Sequence, residues 1–102
     1  MLKTRISLNI STKIQEGGFS LKIYDYKSRK NISGNRIREA RLKKRLSQAD
    51  FAARLQIAGI AMERDSVSRI EIGTRFVADY ELMIIAEILD VTVDWLLSEG
   101  HE

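Results

Sequence analysis

The chain has no cysteine, no proline, one histidine in 102 residues and only 7% aromatic residues. Without cysteine, disulfides and thiolate metal sites are excluded, and the cytoplasm is the expected compartment. Without proline, no helix is interrupted from within, which suits a mostly helical fold without demanding one. No stretch approaches the roughly 18 apolar residues that a membrane span needs. Near the start, Lys3, Arg5, Asn9 and Lys13 break up the apolar block of a signal peptide. The single His101 sits in the tail beside Glu99 and Glu102, where a solvated end explains it better than a loose metal site. No Gly-rich phosphate loop is present, nor any set of nucleophile, base and orienting group. Neither an enzyme nor a bound cofactor is expected.

What is present is enough apolar sequence for one small core (44%) with 30% charged residues, so one soluble domain with an appendage is expected. The net charge of +3 conceals a division along the chain. Residues 1–35 carry seven Lys/Arg and two Asp/Glu, residues 36–75 ten and five, and residues 76–102 none and seven. A basic front and an acidic back is the asymmetry expected when one face meets a polyanion. Nucleic acid fits it, as would an anionic membrane or an acidic partner on charge alone.

Residues 1–33 form an N-terminal extension. Leu2, Ile6, Leu8, Ile10 and Ile14 occupy even positions between polar residues, and Phe19, Leu21 and Ile23 alternate after Gly17-Gly18. Period two on both sides of a Gly-Gly turn reads as a β-hairpin. Such a hairpin needs packing or pairing with a second copy to be stable, and a mobile tail is the plainer alternative. Lys27-Ser28-Arg29-Lys30-Asn31 reads as a linker, either a basic arm for a groove or a solvated connector.

Helical periodicity begins at Gly34 and runs to about Arg45, with Ile37, Ala40 and Leu42 on the inward side. The cations Lys43, Lys44 and Arg45 suit the negative end of a helix dipole and are also phosphate candidates. Ser47 is a good N-cap for a second helix with Phe51, Ala52 and Leu55 inward. A third helix places Val67 and Ile70 inward and stops at Gly73. A fourth begins near Ala78-Asp79, with Asp79 as its cap, carries Leu82, Ile85, Ala86 and Leu89, and ends at Asp90. Thr92 caps a short fifth helix through Trp95, Leu96 and Leu97, with Trp95 read as a packing anchor rather than a ligand platform. Residues 99–102 form a frayed tail.

The stretch 46–73 resembles the helix-turn-helix of the Cro/phage-repressor (XRE-like) family of transcription regulators. Leu46-Ser47-Gln48, Ala52, Val67-Ser68-Arg69-Ile70-Glu71 and Gly73 carry the resemblance. It continues into Asn35-Arg36-Ile37-Arg38-Glu39-Ala40-Arg41 and into Val91-Thr92-Val93-Asp94-Trp95-Leu96-Leu97, covering residues 34–98. It implies a five-helix lambda-repressor-like domain, a double-stranded DNA operator and a homodimer; the N-terminal β appendage lies outside the resemblance and rests on the alternating pattern alone. The third helix would lie in the major groove while the second crosses the backbone. By position, Arg64, Asp65, Ser66, Ser68 and Arg69 would contact bases. Gln48, Ser47, Arg75, Arg38 and Lys44 would contact phosphates, Arg36 being a further weak candidate. Asp65 equally suits the electropositive first turn of a helix. The resemblance also pairs Arg41 with Glu71 as a partly buried clamp that sets how the third helix is presented.

Three departures stand out. The path from Leu55 to Val67 is several residues longer than the family's tight turn, as in a longer-turn variant. Either the second helix is extended or a broader turn forms at Gly59, with Ile57, Ile60 and Met62 packing there. Glu63 stands where a better capping residue is usual, and Ile72 where Asn is frequent. The expected function is sequence-specific DNA binding in transcription regulation, with repression the expected role. The alternative is a helix-turn-helix module used for protein–protein contact, antitoxin-like or in assembly, with little DNA affinity. Nothing in the residues singles out a small-molecule inducer.

Overall fold

The computed structural model describes residues 25–98. The alternating residues 2–23, read as a hairpin, lie outside the described residues, as does the tail 99–102 with His101. The described chain is mainly helical, with five helices and no sheet among those residues: α1 (Gly34–Lys43), α2 (Gln48–Ile57), α3 (Arg64–Ile72), α4 (Asp79–Leu89) and α5 (Val93–Leu97). Among them no helix is long and apolar enough to cross a membrane.

Each boundary has a local cause. Ser47 Oγ accepts from Asp50 N at 2.9 Å while Asp50 Oδ2 accepts from Ser47 N at 3.2 Å, a capping box that opens α2. Gly73 ends α3 at φ +90°, a conformation that favours glycine. Thr92 Oγ1 accepts from Trp95 N and opens α5. Glu63 precedes α3 without a side-chain cap. At α4, Asp79 is the first helical residue rather than the cap; Glu81 Oε1 reaches back to Ala78 N at 3.0 Å. Helix α1 stops at Lys43, and Arg45 turns left-handed at φ +60°.

The core is built from Ile37, Phe51, Leu55, Met62, Val67, Ile70, Ile85 and Leu96, all essentially sealed from solvent. Helix α3 rests on α1 and α2, α4 on the same pair, and α5 on α1 and α4. Leu42 does not join the core but stays 47% exposed, one position round α1 from the buried Arg41. In the long turn, Ile60 and Met62 are buried as expected, whereas Ile57 projects outward. Helix α2 ends there, and the chain turns at Ala58 and Gly59, the latter at φ +94°. Gln56 Nε2 donates to Met62 O and ties the turn across. Arg36 stacks 4.4 Å from the Trp95 ring centroid, so the tryptophan packs α5 against α1.

Residues 25–33 are more than a connector. Tyr26 and Arg29 exchange two backbone hydrogen bonds across a tight turn whose central residues, Lys27 and Ser28, both take positive φ. The chain then runs inward along the end of α3, with Ser33 and Gly34 buried. A Cβ on Gly34 would fall 2.2 Å from Ile70 O and 3.0 Å from Glu71 O, both backbone atoms. Only glycine allows α1 to start this close to the last turn of α3. Gly34→Ala should therefore destabilise the domain by about 1–3 kcal/mol through enforced backbone displacement, measured by urea unfolding.

Candidate nucleic-acid interface

A helix can read a surface outside the protein only if one side is anchored and the other is polar and accessible. Helix α3 meets both conditions. Val67 and Ile70 are buried, while Arg64, Asp65 and Arg69 are exposed and Ser66 and Ser68 are half-buried. Arg64 lies 3.5 Å from Asp65, both largely in solvent, a pairing too exposed to hold either side chain strongly. Arg69 makes no ion pair among the described residues. Ile72, the apolar member of the outward stripe, is 63% exposed at the helix end.

Behind this face lies the clamp. Arg41 Nε donates to Glu71 Oε2 at 2.6 Å and Nη2 to Oε1 at 3.0 Å, a two-pronged pair with both side chains buried. A third donor is used as well: Arg41 Nη1 bonds Leu46 O at 2.8 Å, on the approach to α2. Gln48 Nε2 donates to Glu71 Oε1 at 3.0 Å. One carboxylate on α3 thus fixes α1, the α1–α2 turn and the first residue of α2. Burial of two charges is costly, and this network offsets it with four hydrogen bonds.

The expected phosphate contacts are arranged unevenly. Gln48 and Ser47 sit together at the start of α2. One amide hydrogen of Gln48 goes to Glu71, leaving the second for an outside acceptor. Ser47 is occupied by its capping box, and the Asp50 carboxylate beside it is held below its usual range by the Ser47 backbone N–H and hydroxyl. Arg38 is exposed on α1. Lys44 is turned toward Asp90 at 2.8 Å, and this contact holds the Asp90 carboxyl below its usual range. Arg75 bonds Glu81 Oε1 at 3.1 Å and Phe76 O at 2.9 Å. Arg36 lies on Trp95 and donates to Ser98 O at 3.4 Å. The structure therefore places Gln48 and Ser47 beside the clamp at the last turn of α3, with Arg64 and Asp65 at the other end of that helix, while Lys44, Arg75 and Arg36 have partners within the fold.

Sequence reasoning missed Asn31 and Arg29. Asn31 Nδ2 donates to Ile70 O at 3.0 Å and to Arg75 O at 2.8 Å, and its Oδ1 accepts from Gly34 N at 2.7 Å. Arg29 Nη2 reaches Glu71 O at 3.4 Å. The available signal was an Asn three residues ahead of a helix-opening Gly, the spacing at which a side-chain oxygen caps a backbone N–H.

Among known families, a model described as helix-turn-helix matches residues 37–96. No curated protein and no solved structure matches the chain.

Two expectations follow from this geometry. Arg41→Ala strands the Glu71 carboxylate and should cost about 3–5 kcal/mol, read by chemical unfolding. The second concerns acid. Burial opposes ionisation of Glu81, but the Arg75 guanidinium and the Ala78 N–H outweigh it, so the carboxyl titrates below its ordinary 4.5. The folded carboxyl binds its proton less tightly than the unfolded one, so the stabilisation is full above pH 4.5 and is lost as pH falls below it. Glu81→Gln should flatten that acid limb of the stability profile and leave the slope near neutrality unchanged, as followed by unfolding at a series of pH values.

Proposed function

The chain belongs to the Cro/C1-type, XRE-like helix-turn-helix family of DNA-binding transcription regulators, and on that premise we propose that it is a sequence-specific repressor that binds its operator as a homodimer. It acts in the cytoplasm as a binding module rather than an enzyme. The observation that carries this reading is α3 itself: a nine-residue helix with an exposed polar face, braced from behind by a buried ion pair. Placed in a major groove, Arg64 and Arg69 present forked donors suited to guanine O6 and N7. Asp65 can accept from a cytosine amino group, and Ser66 and Ser68 supply shorter contacts. Gln48 offers its second amide hydrogen to a phosphate, helped by Ser47 and Arg38. Lys44 and Arg75 contribute less, because Asp90 and Glu81 offset their charges. In a two-fold dimer the paired α3 helices address half-sites about 34 Å apart on one side of the duplex.

The test is binding to duplexes selected by the wild-type chain from a random-sequence pool, followed across a salt series. Affinity should fall linearly in log–log form, with a slope of about −0.9 per phosphate engaged. Arg64→Ala and Arg69→Ala should each reduce discrimination against changed bases by about 1–3 kcal/mol. Arg38→Ala should weaken all sequences alike and make the salt slope shallower. A chain that selects no sequence, or whose double arginine variant keeps the wild-type preference, is not reading DNA through α3; binding that ignores salt points instead to a protein partner.

A further inference from the structure

A helix leaves its last four carbonyls without partners from its own backbone. At the end of α3, Gly73 N donates to Arg69 O and Ile70 O, and Thr74 N donates to Arg69 O. Further donors come from a segment that is remote in sequence. Asn31 supplies Ile70 O, Arg29 supplies Glu71 O, and Lys30 N donates to Gly73 O at 2.8 Å. Asn31 also bonds Arg75 O in the α3–α4 loop and Gly34 N at the head of α1. Both of its amide hydrogens and its oxygen are therefore engaged, on three separate pieces of chain. The Arg29 guanidinium lies across Gly73, where a cation complements the negative end of the helix dipole.

The two ends of α3 are held very differently. Its first turn, which carries Arg64 and Asp65, follows an N-cap with no side-chain hydrogen bond. The last turn has the Glu71 side chain on Arg41 and Gln48 and its carbonyls on Arg29 and Asn31. A nine-residue helix is about 13 Å long. Rotation of about 5° at the anchored end moves the reading end by about 1 Å, more than a good hydrogen bond to a base edge tolerates.

We propose that Asn31, which lies ahead of the helix-turn-helix, is a positioning residue for base reading: it locks the C-terminal turn of α3 to α1 and to the α3–α4 loop and so sets the helix's angle in the groove. This rests on the reading of α3 as the DNA-contacting helix. Asn31 itself touches no base, so its loss acts on discrimination while the phosphates engaged remain the same.

The experiment uses the full chain with Asn31→Ala, Asn31→Ser and Asn31→Asp, and Ile85→Val as a core variant that lowers stability elsewhere. The probes are a duplex selected by the wild type from a random pool and a shuffled duplex of the same composition. For Asn31→Ala the ratio of the two affinities should fall about tenfold, the loss of roughly one base contact, with the salt slope unchanged. Asn31→Asp, which keeps the acceptor for Gly34 N but turns charge toward two carbonyls, should lose at least as much. Asn31→Ser, with a single shorter donor, should fall between. Ile85→Val should keep the wild-type ratio. Amide exchange at Ile70–Gly73 should quicken in the Asn31 variants relative to α4 of the same molecules, a readout that needs no DNA. Wild-type discrimination in folded Asn31→Ala and Asn31→Asp overturns the positioning role, and so does a loss equally large in Ile85→Val. A wild type without any sequence preference overturns the reading of α3 itself, a result visible before any variant is made.

Discussion

The fold turns on one carboxylate. Glu71 projects from the inner side of α3 into a space lined by Arg41, Gln48 and the Leu46 carbonyl region, and its two oxygens accept three hydrogen bonds. An ion pair buried this deeply is no guarantee of stability, since apolar packing of the same volume would do as well or better. What it supplies is direction. Apolar contacts at Val67 and Ile70 press α3 onto the body but tolerate sliding; a two-pronged guanidinium contact does not. The helix consequently meets α1 and α2 at one angle and one depth.

Charge is arranged to the same end. Among the described residues, the cations left without an ion-pair partner include Arg38 and Arg69, while Lys44 and Arg75 are answered by Asp90 and Glu81. Acidic residues concentrate in α4 and beyond, where residues 76–102 carry no Lys or Arg at all. The sequence thus keeps all of its Lys and Arg ahead of residue 76, while α3 itself balances Arg64 and Arg69 against Asp65 and Glu71.

Much of the helical body was legible because its signals are local. Ser47 and Asp50, Gly73, and Thr92 with Trp95 each declare a helix end within three residues, and Val67 with Ile70 give the inward face of α3 by spacing. Arg41 and Glu71 are different: they lie 30 residues apart, nothing local links them, and only the family resemblance pointed to the pair. No pattern of that kind was available for Asn31, whose partner Ile70 is 39 residues away. The same holds for Lys44 with Asp90, 46 residues apart. Leu42 and Ile57 failed for another reason. Composition shows that a residue is apolar, but the rotation of a helix at its last turn decides whether it finds the core.

The turn between α2 and α3 carries a last implication. Gly59 has open space where a side chain would stand, whereas Ile60 and Met62 just beyond it are buried. The slack is thus confined to the half of the loop nearest α2, and the half leading into α3 is pinned. Lengthening a loop is thermodynamically cheap, about 0.6 kcal/mol per doubling. Extra length at Ala58-Gly59 accordingly leaves the helix beyond it in place, because Ile60 and Met62 hold that end of the loop to the core.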